Sequence, residues 1–168
     1  MNRPQELWRR QARSDLALFT QLRGGGAHQC HLLRYLQMST EKLSKAYLWR
    51  SGHAPPRRHS GFVRFLRALL DRRPVELQRI AETLGFGRRE DLENWVRSVQ
   101  ILTYSLQNIA PAEAGDGPNA EYPWPHGDPE HRPADCNFAL WNELANTGKG
   151  RQLLRFVERA IANFEQYA

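Results

Sequence analysis

Apolar residues in this chain recur at three- and four-residue spacing in one segment after another, and nowhere do they alternate at the period of two that marks a half-buried strand. The most apolar stretch runs from His28 to Arg50. Leu32, Leu36, Leu43, Ala46 and Tyr47 line one side of it, and Leu33, Tyr35, Met38, Leu48 and Trp49 widen the stripe. A helix this apolar predicts burial on most sides, so the other helices are expected to wrap it. Its main polar interruptions are Ser39, Glu41, Lys42, Ser44 and Lys45.

A first amphipathic helix is predicted over 4–22, with Trp8, Ala12, Leu16, Phe19 and Leu22 on one face. Gly24, Gly25 and Gly26 end it. After the central helix, Ser51-Gly52 and Pro55-Pro56 signal a stop, and Ser60 is a plausible cap for a third helix. That helix turns Phe62, Phe65, Leu66, Leu69 and Leu70 inward and Arg64 and Arg67 outward. Pro74 starts a short helix carrying Leu77, Ile80, Ala81 and Leu84, which Gly85 closes. Over 88–109 the spacing of Leu92, Trp95, Val96, Val99, Leu102, Leu106 and Ile109 predicts one long core helix. Between positions 111 and 133 six prolines and three glycines leave no period, which predicts a long ordered loop or a mobile flap. Phe138, Trp141 and Leu144 predict a short helix, and Leu153, Val157, Ala160, Ile161 and Phe164 a final long one. The expected architecture is one all-α domain spanning 1–168. Four long helices, near 4–22, 28–50, 88–109 and 150–167, form an antiparallel bundle core with short helices and the Pro/Gly-rich loop at its side.

Composition narrows the function classes. The 168 residues suffice for a core without staples, and two cysteines, Cys30 and Cys136, build no disulfide framework. No apolar run approaches the ~20 residues that cross a bilayer, and the start shows no signal-peptide pattern. A cytoplasmic protein without membrane contact is expected. Basic residues exceed acidic ones by six, and 21 of the 24 are arginine, the residue whose planar fork suits phosphates and carboxylates. Arg50, Arg57, Arg58, Arg64, Arg67, Arg72 and Arg73 crowd one segment against the single acid Asp71. Such a field favours a polyanion or an acidic protein. Arg50, Arg57, Arg58, His59, Arg64 and Arg67 are therefore the candidate contact residues, with His53 at their border.

Cys30-His31, Gln37, Glu41-Lys42 and Lys45-Ala46 along the central helix resemble the second helix of the HEPN family. Trp8 and Asp15-Leu16, His59 and Phe62, and Tyr122-Pro123 extend the likeness more thinly. The resemblance implies a HEPN four-helix bundle and a role in bacterial defence or toxin–antitoxin systems. The implied partners are RNA, a nucleotide, or another protein such as a nucleotidyltransferase, with homo- or hetero-oligomers common.

Many HEPN proteins are metal-independent ribonucleases that use an Arg and a His four to six residues apart. The His exchanges the ribose 2′-hydroxyl proton, and the Arg holds the phosphate as its charge develops. Arg23 and His28 have that spacing, though ahead of the family's usual place for it, and they are the candidate catalytic pair. In the usual place, after the 88–109 helix, stands Asn119-Ala120-Glu121-Tyr122-Pro123. It is similar to the Arg-Tyr-Pro segment of the nucleotidyltransferase-associated members, with Glu121 in place of the arginine. Tyr122 and Trp124 are candidates for stacking on a base, or else for packing the loop onto the bundle. His28, Cys30 and His31 lack the second ligand pair that structural zinc requires, so neither metal nor cofactor is expected. A helix-turn-helix reading of 75–99 meets Glu90, Asp91 and Glu93 where the recognition helix would face phosphates, which disfavours it. The expectation is a binding or regulatory subunit, with a ribonuclease and a structural subunit as its rivals.

Overall fold

The computed structural model of the chain describes residues 1–49, 61–124 and 132–168. Among these, 77% are helical and none lies in a strand, so the all-α class holds. The helices in order are α1 (Arg3–Gly24), α2 (Gln29–Leu48), α3 (Gly61–Leu70), α4 (Pro74–Leu84), α5 (Arg89–Ser98), α6 (Gln100–Asn108), α7 (Pro111–Ala114), α8 (Ala139–Asn146) and α9 (Gly148–Ala162). Short 3-10 turns occupy Pro133–Asp135 and Phe164–Gln166.

Local chemistry explains the ends. Asn2 and Gln5 satisfy each other's backbone N–H groups across the start of α1 at 2.9 and 3.0 Å, a reciprocal cap. Gly85 ends α4 at φ +87°, a conformation that side chains rarely adopt, and the Arg159 guanidinium lies where its Cβ would be. The Val63 N–H at the start of α3 donates to Gln107 Oε1 of α6 at 3.0 Å, which ties the two helices together. Ser60, the expected cap of α3, lies outside the described residues.

α1 and α2 form an antiparallel hairpin, and α2 also packs against α3, α6 and α9, as its apolar breadth predicted. Leu33, Leu36, Leu43, Ala46 and Tyr47 are all buried on it. On the side of α2 away from α1 the core is aromatic. Phe65 of α3 meets Tyr47 edge-on at 5.0 Å and Phe156 of α9 at 6.3 Å, and Phe156 reaches Trp95 of α5 at 4.5 Å.

Three expectations change. The predicted 88–109 helix is two helices, interrupted at Val99, whose φ of −98° and ψ of 2° leave the helical region. The Ser98 hydroxyl donates to the Trp95 carbonyl at 2.8 Å, sharing it with the Val99 N–H at 3.0 Å. The interruption is one residue long and keeps Leu92, Trp95, Val96, Val99, Leu102 and Leu106 buried, so the apolar period passes through it unbroken. The 111–133 segment opens with a helical turn, α7, that the period did not show; beyond it the Ala120 N–H donates to the Ile109 carbonyl at 3.1 Å, as in the ordered-loop alternative, and 125–131 lie outside the described residues. The final helix ends at Ala162 rather than running to 167, and a 3-10 turn follows it.

Candidate nucleic-acid interface

Of the residues that carried the family resemblance, Trp8, Asp15, Gln37, Glu41, Lys42 and Lys45 meet at the seam between α1 and α2. Lys42 Nζ donates to Asp15 Oδ2 at 2.5 Å, with side-chain exposures of 15% and 6%. Gln11 donates to the other oxygen of Asp15 at 3.0 Å. One turn along, Lys45 pairs with Glu41, Gln37 donates to Glu41 at 3.2 Å, and the Lys45 ammonium stands 5.0 Å above the Trp8 ring. The Ser39 hydroxyl donates across to the Ala12 carbonyl at 3.0 Å. Every charge in this seam is matched by a neighbour. It fixes the register of two helices and presents no unmatched charge to a ligand.

The outer face of α3 is the opposite case. Phe62, Phe65, Leu66 and Leu69 are buried, which turns Arg64 and Arg67 to the outside one turn apart. Neither forms an ion pair among the described residues. The arginines that follow are different: Arg73 and Arg72 share Glu76 at 2.5 and 3.9 Å. The hydrogen bond from Arg73 lowers the Glu76 carboxyl below its ordinary pKa. Arg88 and Arg89 are likewise held by Asp91 and Glu90, at 3.3 and 2.7 Å. Among the described residues Arg64 and Arg67 of α3, like Arg79 of α4, are exposed outside these ion pairs. Arg50, His53, Arg57, Arg58 and His59, the rest of the expected cluster, lie outside the described residues.

Arg23 sits in the last turn of α1, and His28 is the residue before α2; both are exposed. Neither side chain makes a hydrogen bond or ion pair among the described residues, and the His28 ring lies edge-on to that of His31, centroids 6.3 Å apart. Among the described residues no group orients the imidazole as a general base requires. Cys30 is buried as a small apolar residue, and burial raises its thiol pKa. Among the described residues no three His, Cys, Asp or Glu side chains come together as metal ligands.

No family model matches this chain, and neither does any curated protein or solved structure. Its own geometry therefore carries the functional reading.

The two aromatic candidates of the loop part company. Trp124 is 6% exposed and packs on Phe138, with ring centroids 6.3 Å apart, so it anchors the loop. Tyr122 is 61% exposed and free to stack. Asn119 shapes the turn between them: its Oδ1 accepts from the Glu121 and Tyr122 N–H groups at 2.9 and 2.7 Å. Glu121 meets Arg34 of α2 at 3.4 Å, a partner that sequence reading missed because 87 positions separate the two. Where the resembling family carries an arginine, this chain has a carboxylate already occupied by an arginine of its own.

Proposed function

We propose that this chain is a HEPN-like helical binding subunit that engages RNA through the outer face of α3, with α1, α2, the α5–α6 pair and α9 as its four-helix core. The observation that carries the reading is the contrast among the arginines: Arg64 and Arg67 stand exposed without a carboxylate among the described residues, while their neighbours Arg72 and Arg73 share one. Guanidinium groups held in this way neutralise phosphates and release counterions. A ribonuclease built on Arg23 and His28 has less behind it, because no hydrogen bond orients the His among the described residues. A role beside a nucleotidyltransferase or another defence protein rests on the resemblance alone.

Fluorescence anisotropy with a labelled single-stranded RNA, read across a salt series, tests the reading. Binding is expected to weaken as salt rises, with a log–log slope of about −0.7 per phosphate neutralised. The double change Arg64→Gln and Arg67→Gln is expected to lower affinity and to flatten the slope by about 1.4, while stability shifts by no more than ~0.5 kcal/mol. Unchanged affinity and slope in that variant remove α3 as the contact. RNA cleavage in EDTA that disappears in His28→Ala would replace the binding reading with the nuclease.

A further inference from the structure

A second surface combines aromatic rings with unmatched charge. At the open end of the α1–α2 hairpin, Arg3, Pro4, Leu7, Trp8 and Gln11 of α1 and Trp49 at the end of α2 line a groove of about 520 Å³. The groove exists because three- and four-residue steps along α1 put Pro4, Leu7, Trp8 and Gln11 on one side of the helix. Trp49 closes the far wall, where the Asn2 side-chain amide donates to its carbonyl at 3.4 Å. Leu7 is 58% exposed, although it belongs to an otherwise well-packed helix.

Among the described residues the lining carries a single charge, that of Arg3, and no carboxylate; Arg3 forms no ion pair with any of them. Arg10, two turns further on and about 10 Å along the axis, lies on the same edge of α1, although it hydrogen-bonds Glu6 at 2.6 Å. Indole surface beside a basic edge is the arrangement that holds single-stranded nucleic acid, since every base has a face to stack and every nucleotide a phosphate to neutralise. The volume lies within the 300–1,000 Å³ typical of small-ligand sites, and a nucleotide is a ligand of that class.

We propose that this groove is a base-stacking subsite for single-stranded RNA, in which an unstacked base lies on Trp8 and Trp49 and Arg3 takes the adjacent phosphate. The inference rests on the RNA reading given above, and it adds a specific place where a base, rather than the backbone alone, is held.

The test uses the intact chain with a fluorescein-labelled single-stranded oligouridylate at low salt. Anisotropy gives affinity and salt slope, and tryptophan fluorescence reports stacking. Trp49→Leu keeps an apolar wall and is expected to weaken binding roughly 10-fold, the scale of losing one stacked base, with the salt slope unchanged. Arg3→Gln, an exposed change that leaves the fold alone, is expected to flatten the slope by about 0.7. In wild type the oligonucleotide is expected to quench tryptophan emission, and Trp49→Leu to reduce that quenching. Salt-sensitive binding that neither variant alters overturns the subsite and leaves the α3 reading standing. No binding by wild type overturns both. If Trp49→Leu instead converts a dimer to a monomer in sedimentation while RNA affinity holds, the groove is covered by a second copy of the chain, and the subsite fails.

Discussion

Helix α2 is flanked by two regions that hold it by opposite means. Toward α1 it offers Gln37, Ser39, Glu41, Lys42 and Lys45 to a seam of matched charges and hydrogen bonds. Toward α3 and α9 it offers Tyr47 to a cluster of rings running through Phe65 and Phe156 to Trp95. The first kind of contact is directional and specifies register. Its net contribution to stability is small, because the charges lost water to form it. The second is non-directional and scales with the apolar area removed from water. Stability in this molecule should therefore reside on the aromatic side, and the pairing of α1 with α2 on the polar side.

The largest effect tests the aromatic side. Phe65 is fully buried and touches Tyr47, Phe62, Phe156 and Tyr167. Phe65→Ala is expected to cost about 3–5 kcal/mol, and Leu43→Ala about 2–5 kcal/mol, through lost burial and the cavity left behind. Denaturant unfolding measures both. A loss below 1 kcal/mol at Phe65 would mean that the ring cluster is not where stability resides.

The next effect separates the two kinds of contact. Asp15→Ala leaves Lys42 largely buried without its partner, and a loss of about 3 kcal/mol is expected. The double change Asp15→Leu with Lys42→Met replaces both charges by apolar volume, and stability is expected to return to within about 1 kcal/mol of wild type. A double-mutant cycle reads the difference. If the double variant is as unstable as Asp15→Ala, the seam supplies stability as well as register, and the contrast between the two sides of α2 fails.

The aromatic side was the more legible in sequence. Apolar spacing reports which side of a helix faces inward, and it placed Phe62, Phe65, Leu66 and Leu69 correctly. The same signal is blind to a one-residue interruption, so the break at Val99 passed unseen. Spacing is also silent on partners far apart in the chain, and Arg34 with Glu121 is such a pair. In the loop, prolines and glycines correctly announced the loss of period. They did not show that Asn119 builds a turn sending Trp124 into the core and Tyr122 out of it. For the candidate site, sequence marked Arg64 and Arg67 as outward-facing. Only the ion pairs of Arg72 and Arg73 with Glu76 set those two apart from Arg64 and Arg67.

The smallest expected effect lies in ion pairs within α1 itself, away from its contacts with α2. Glu6, in the first turn of α1, accepts hydrogen bonds from Arg9 at 2.9 and 3.1 Å and from Arg10 at 2.6 Å. Those bonds, Arg9's first and then Arg10's, lower its carboxyl from the ordinary 4.5 to about 2, against the opposing pull of burial. The start of the helix favours the negative form as well. Because the folded state prefers the ionised form, the stabilisation is fully present above about 4.5 and is lost as pH falls from there through about 2. With the carboxylate partly exposed, solvent screening limits the contribution to about 0.5 kcal/mol. Glu6→Gln is accordingly expected to lower stability by about that amount at pH 7, by less in 1 M salt, and by almost nothing near pH 2. Urea unfolding of both proteins at the two pH values measures it. A gap that persists unchanged at pH 2 would show that Glu6 acts through packing or capping rather than through charge.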